Sequence, residues 1–326
     1  MNNDRFYSLN NYLKEKFGHK IYKVSLDGGF TCPNRDGKIS YKGCLFCSDR
    51  GSGEFTGERG KSITEQIDEQ LEFIYKKNSD NDVIAYFQNF TNTYAPIDYL
   101  RKIYYEALSH EKVIGIAIAT RPDCLNDEIL NLLSEINEKF FLWIELGLQT
   151  AENNIAKIIN RGYDTDCYIN ICKKLNERNI KFVTHMIVGL PQETKENLFD
   201  TIDLINNVNS WGIKIHLLYI LKNSRLEKYY KENPFKIYEK DEYTEIVTEL
   251  IERLNPNIVI HRLTGDAKKD ELFMPLWSAD KRNVLNEIQK KLKIKNIFQG
   301  KEYKNECNIK DERNAKWTYC KRKKDK

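Results

Sequence analysis

Short apolar runs alternating with longer amphipathic segments predict an α/β fold built on a parallel sheet. Two observations carry this. The runs are rich in β-branched and aromatic residues and are apolar on both faces, as strands covered on both sides must be. The segments between them carry apolar residues at helical spacing. Six such units in series fit either an α/β barrel or a doubly wound sheet, and periodicity does not choose between the two.

The strand runs, in order, are IYKVSL (21–26), VIAYFQ (83–88), VIGIAIAT (113–120), FLWIELGLQ (141–149), KFVTHMIVGL (181–190) and IKIHLLYI (213–220). Among the helical segments, SITEQIDEQLEFIYKK opens with Ser62 and Glu65 at the spacing of a capping box. PIDYLRKIYYEALSH opens with Pro96, which a first turn tolerates. LNDEILNLLSEINEK, TDCYINICKKLNERN and ETKENLFDTIDLINNV repeat the pattern. Asn255–Pro256 then breaks a helix, IVIHRLTGD reads as one more strand, and a short helix is expected near 280–294.

Composition narrows the class. Charged residues make up 31% of the 326, and no apolar run is long enough to cross a bilayer. The N-terminus lacks the apolar core of a signal peptide, so a cytoplasmic protein is expected. The net charge is +4. From Lys301 onward ten bases face five acids, which makes the tail +5 and the remainder −1. Such a tail can hold an anionic partner such as RNA, or it can be a solvated terminus.

In a reducing compartment, clustered cysteines among the eight present bind metal more often than they pair. Cys124, Cys167, Cys172, Cys307 and Cys320 are scattered and read as small apolar residues. The other three are grouped. In GGFTCPNRDGKISYKGCLFCS, eleven residues separate Cys32 from Cys44 and two separate Cys44 from Cys47. Thiolates suit zinc or iron–sulfur clusters. A structural zinc site and a fully ligated 4Fe-4S cluster each want four ligands, and the loop offers three cysteines and no histidine. Three cysteines leave one iron of a cluster open to an outside ligand; zinc completed by a distant residue is the alternative.

The cysteine loop is followed in order by YFQNFTNTYAP, ATRPDCL, IELGLQT, NRGYDTD, HMIVGLPQET, GIKIHLL, HRLTGD and MPLWSADK. Together these motifs resemble the YhcC-type radical S-adenosylmethionine family, whose core is similar to the radical domain of the Elongator catalytic subunit. The resemblance runs from about Asp4 to Gly300. The first cysteine gap is longer than the commoner spacing of three and two, as in the Elongator-like branch. The resemblance implies a partial (β/α)6, TIM-like barrel with a small C-terminal extension. Its expected parts are an N-terminal helical segment (1–20), the radical core (21–255), a strand-and-helix extension (256–300) and the basic tail (301–326). It also implies a 4Fe-4S cluster on Cys32, Cys44 and Cys47, with S-adenosylmethionine chelating the open iron.

The resemblance assigns roles at strand ends, each with a competing structural reading. Gln88 and Asn92 lie where the amino group of S-adenosylmethionine is contacted, or they cap a loop. Thr120 and Arg121 end the third run; Arg121 binds a carboxylate or phosphate, or forms a salt bridge. Glu145, an acid inside an apolar strand, needs a partner and is assigned with Gln149 to S-adenosylmethionine. Arg161 is assigned to its carboxylate, or is a helix-end charge. In HMIVGLP, Gly189 allows backbone to approach the adenine. His185 faces substrate or packs in the core. Lys214 and His216 alternate with apolar residues, so they face substrate inside a barrel or solvent at an edge.

The reaction class expected from this resemblance is that of a 5′-deoxyadenosyl radical that abstracts hydrogen from, or adds to, a substrate carbon. Its substrate is expected to be tRNA, at the wobble-uridine side chain (carboxymethylaminomethyl- to aminomethyl-uridine), with an electron donor such as flavodoxin or ferredoxin and no membrane. A small metabolite or protein substrate, or a zinc-stabilised RNA-binding module without catalysis, are the alternatives.

Overall fold

The computed structural model describes residues 5–51, 56–75, 82–265 and 267–304. The basic tail, with Cys307 and Cys320, lies almost wholly outside the described residues.

Seven strands form one parallel sheet: β1 (Tyr22–Leu26), β2 (Val83–Phe87), β3 (Val113–Thr120), β4 (Phe141–Gln149), β5 (Lys181–Val188), β6 (Gly212–Leu217) and β8 (Val259–Arg262). They neighbour one another in chain order, curling as a partial barrel, which settles the choice left open by periodicity. The six expected strands are all present. The sixth ends at Leu217, earlier than expected, although the Leu218 N–H still donates to Val188 O at 2.9 Å; Ile220–Leu221 forms a separate strand, β7, antiparallel to β9 (Leu272–Met274). IVIHRLTGD supplies β8, which pairs with β6 and so makes a seventh strand of the main sheet.

Helices α1 (Leu9–Phe17), α2 (Ile63–Tyr75), α3 (Ile97–Leu108), α4 (Asp127–Lys139), α5 (Asn153–Ile158), α6 (Thr165–Glu177), α7 (Lys195–Asn207), α8 (Arg225–Glu232), α9 (Lys240–Arg253) and α10 (Lys281–Ile294) complete it. α2 begins with the reciprocal capping box read from its sequence. Glu65 Oε2 accepts from the Ser62 backbone N–H at 2.8 Å, and the Glu65 N–H donates to Ser62 Oγ at 3.2 Å.

Strand alternation divides the apolar residues between two cores. Val24, Phe87, Ile118, Leu146, Met186 and Ile215 point outward and pack under the helices. Ile84, Ala117, Trp143, Val183 and Val259 point inward and meet Leu9 and Leu13 of α1, which closes the N-terminal end of the barrel. The N–H of Ile260 donates to Tyr7 O at 2.8 Å and pins that plug. Because all strands run parallel, their C-terminal ends share the opposite, open edge.

Candidate active site

The cysteine loop folds over that open edge. Cys47 N–H donates to Cys44 O at 3.2 Å, so one tight turn carries both thiols. The N–H groups of Arg35 and Asp36 turn back on Cys32 O. The loop is then fastened to the end of α5. Leu45 N–H donates to Ile159 O at 2.8 Å, and Asn160 Nδ2 donates to Gly43 O at 2.7 Å. Gly43 has φ +70°, and a Cβ there would press on Arg35.

Beneath the loop lies a cavity of about 360 Å³ lined by Cys32, Cys44 and Cys47 at one end. Gln88, Thr120, Arg121, Glu145, Gln149, His185, Lys214 and His216 line the same cavity, joined by Tyr86, Tyr163 and Arg262. Most of the sequence-predicted residues are therefore brought together. They come from the ends or inward faces of β2 to β6, where even spacing puts Glu145 with Gly147, and Lys214 with His216, on the inner face, while Gln149 reaches the cavity past a register shift in β4. Burial pushes the Cys44 thiol up to about 12; Cys47 adds to this, while Arg121 and the Asn34 amide pull the other way. Ligation must remove that proton.

Three expected residues do not line the cavity. Arg161 is fully buried and spends its donors internally: on Leu148 O, Thr150 O, Tyr163 O, Asn153 Oδ1 and Thr165 Oγ1. It organises the turn between β4 and α6 instead of facing the open space. Asn92 is also fully buried; its Nδ2 donates to Ala119 O at 2.8 Å and ties the loop after β2 to β3. Gly189 takes φ +100°, a conformation suited to glycine, and its N–H donates to Glu193 Oε2 at 2.8 Å.

Other expected residues are held while facing the cavity. Arg121 makes a forked pair with Asp123 at 2.9 and 2.7 Å and lies over the Tyr163 ring, so its structural reading also stands. Thr120 Oγ1 lies 2.6 Å from Thr93 Oγ1. Gln149 has φ +61° and a buried Oε1 without a hydrogen-bond partner.

Deeper in the barrel is a charged network. Glu145 is 1% exposed. Its Oε1 accepts from Trp143 Nε1 at 3.1 Å. Its Oε2 meets Tyr86 Oη at 2.6 Å, His185 Nε2 at 2.8 Å and Lys214 Nζ. Burial works against the Glu145 charge, but Lys214 and His185 outweigh it and hold its carboxyl well below the ordinary range. Burial pushes Lys214 down to about 7 against the pull of Glu145. His216 is kept neutral by burial and by His185, Arg262 and Lys214 around it.

Sequence reading missed Asn34, Tyr86, Tyr163 and Arg262. Tyr86 was legible: it stands two residues before Gln88 and so shares its face. Tyr163 and Arg262 lie within motifs already noted, NRGYDTD and HRLTGD. Asn34 had no signal beyond its place in the cysteine loop.

The chain belongs to the radical SAM superfamily, whose family model matches residues 32–205, with a Radical_SAM C-terminal domain matched over 210–294. It is 42% identical over 297 residues to the uncharacterized protein YtqA of Bacillus subtilis, covering 91% of this chain and 92% of that one. Protein YhcC of Escherichia coli is 34% identical over 281 residues, covering 86% and 90%. Among solved structures, Methanocaldococcus infernus Elp3 shares the fold with a TM-score of 0.63 at 17% identity, over 86% of this chain and 64% of that one. Members of this superfamily use a 4Fe-4S cluster and S-adenosylmethionine. The donor set fits: three soft thiols share one cavity, as a cluster with an open iron requires. Among the described residues, no three His, Cys, Asp or Glu side chains converge on a single-ion position.

Proposed function

We propose that this chain is a cytoplasmic tRNA-modifying radical enzyme that converts the carboxymethylaminomethyl side chain of wobble uridine to aminomethyl. One observation carries the catalytic part: the three cysteines and the polar strand-end residues line one cavity. Cys32, Cys44 and Cys47 hold the cluster in this reading. Gln88, Thr120, Arg121, Glu145 and Gln149 form the cofactor's walls, and Gln149 Oε1 is a buried acceptor for which a ligand amino group is a suitable donor. When bound, the cluster and S-adenosylmethionine supply a 5′-deoxyadenosyl radical.

The chain's own residues position the substrate and keep water out. His185, Lys214 and His216 face the space where the substrate carbon must sit, and the apolar floor sealed by α1 closes the barrel behind them. The tRNA assignment is supported by the kinship with the Elongator catalytic subunit and by the basic tail. Among the described residues, no helix is long and apolar enough to cross a membrane. An electron carrier such as flavodoxin or ferredoxin reduces the cluster in this scheme.

Two measurements test it. Anaerobic reconstitution should load about four irons per chain, and dithionite with S-adenosylmethionine should yield 5′-deoxyadenosine in a tRNA-stimulated reaction. Zinc without iron would defeat the cluster. Total tRNA from a deletion strain should accumulate carboxymethylaminomethyl-uridine by mass spectrometry; an unchanged nucleoside profile would defeat the substrate.

A further inference from the structure

The eleven residues between Cys32 and Cys44 form an excursion that folds back on itself at the open edge of the barrel. Ile39 N–H donates to Pro33 O at 2.8 Å, Gly43 N–H to Asn34 O at 2.6 Å and Lys42 N–H to Ser40 Oγ at 3.0 Å, which closes the loop. Neighbouring elements fix it from outside. The Arg225 guanidinium, at the start of α8, donates to Lys42 O and Gly43 O. Ile39 lies against Gly162, where a Cβ would come within 3.2 Å of its Cγ2. Lys38 Nζ lies 5.3 Å from the centre of the Tyr94 ring. Arg35 and Gly43, near the two ends of the excursion, line the cavity, so the loop borders its mouth.

This firmly held loop displays apolar side chains to solvent. Tyr41 is 82% exposed, the most exposed large hydrophobic residue among those described, and Ile39 is 44% exposed. A single exposed apolar residue needs no explanation, but this ring is placed in advance. It lies against the backbone of Gly37, which has φ +97° and where a Cβ would fall 2.3 Å from Tyr41 Cζ. A side chain already held in position loses little freedom on binding. Lys38 and Lys42 flank it in the loop and are exposed. The nearby acid, Asp36, is engaged by the Tyr94 side chain. The loop therefore offers an open aromatic face beside two positive charges, the combination that suits a stacked base and the phosphates of an unpaired strand.

We propose that this excursion docks an unpaired RNA strand: a base stacks on Tyr41, Lys38 and Lys42 meet the flanking phosphates, and the adjoining nucleotide enters the cavity. The choice of RNA as occupant rests on the tRNA reading above as well as on the charge of the loop. An enzyme that works on a base must take it out of its stack. A stacking ring at the mouth holds the neighbouring base while the target lies inside. The long first cysteine gap supplies the residues that carry this platform.

The test uses the full chain, reconstituted anaerobically, with binding followed by fluorescence anisotropy. The probe is an anticodon stem-loop RNA with uridine at the wobble position, and a fully paired RNA duplex is the control. Tyr41→Ala should weaken stem-loop binding about tenfold and leave its salt dependence unchanged. Tyr41→Phe keeps the ring and should bind as the unaltered chain does. Lys38→Gln combined with Lys42→Gln should instead lower the slope of log affinity against log salt by about 1.4. Duplex binding should not respond to Tyr41→Ala, because its bases are already paired. Tyr41 is exposed, so replacing it leaves the core intact. The platform is overturned by an unaltered chain that does not bind the stem-loop, by Tyr41→Ala binding it undiminished, or by Tyr41→Phe binding as weakly as Tyr41→Ala. Equal weakening of duplex and stem-loop, or an unchanged salt slope in the lysine variant, overturns it too. Tyr41-dependent stem-loop binding beside an unchanged tRNA nucleoside profile in the deletion strain would overturn the wobble-uridine reading and leave the platform standing. An altered profile beside Tyr41-independent binding would remove the platform alone.

Discussion

Asn34 donates its side-chain amide to the sulfur of Cys44 at 3.5 Å and to Asn160 O at 2.7 Å. The residue is fully buried, so this one amide ties a proposed cluster ligand to the end of α5. Groups that orient a ligand and donate to its sulfur tune both affinity and potential. Asn34→Ala should weaken cluster retention on the order of 10–100-fold. Iron release to a chelator, with the potential followed by EPR-monitored titration, checks this. Unchanged release and potential would mean the contact is incidental.

Glu145 neutralises a buried Lys214 and accepts from His185 and Tyr86. Removing one partner of a buried pair leaves the other charge uncompensated. Glu145→Gln should cost roughly 3–5 kcal/mol in urea unfolding. A loss below about 1 kcal/mol would show that the network is readily rehydrated.

Arg161 separates a structural role from a cofactor role. Its guanidinium serves the carbonyls of Leu148, Thr150 and Tyr163. Each buried acceptor left unpaired costs about 1–3 kcal/mol, so Arg161→Met should lose at least about 2 kcal/mol of stability. Thermal unfolding and S-adenosylmethionine titration are to be measured together. Normal stability with a large loss of cofactor affinity would restore the contact that the sequence motif implies.

Glu193 introduces a pH dependence. Its Oε2 accepts from the N–H groups of Gly189 and Leu190, while its Oε1 is buried without a partner. Burial raises its pKa from 4.5 to about 8 against the pull of those two N–H groups. The folded state thus prefers the protonated acid. The stability this contributes is fully present below about pH 4.5 and is lost as pH rises through 8. Glu193→Gln should flatten the unfolding free energy across that window and exceed the unaltered protein at pH 8 by roughly 2–4 kcal/mol. A parallel pair of pH profiles would refute this.

Much of the architecture was legible because it rests on local rules. Strand runs apolar on both faces announced a covered parallel sheet, and Ser62 with Glu65 marked the start of α2. Even spacing along β6 put Lys214 and His216 on one face of the cavity, whereas Gln149 joins Glu145 there only past a register shift in β4. Cysteine spacing and the ordered motifs are properties of the sequence alone and point to the family without the fold.

Pairing across strands is a different matter, because register is set by three-dimensional packing and leaves no trace in local periodicity. Nothing in the sequence said that β8 would lie beside β6 and bring Arg262 level with Lys214. Nor did it say that Lys214, His185 and Tyr86 would converge on one oxygen of Glu145. The same limit explains Arg161, whose motif points to the cofactor while its donors are spent on nearby carbonyls. Sequence alone determined the residue types, their faces and the family's chemistry. Tertiary structure decided which polar groups satisfy one another and which remain for a ligand, since a buried hydrogen bond depends on distances that only the closed barrel sets.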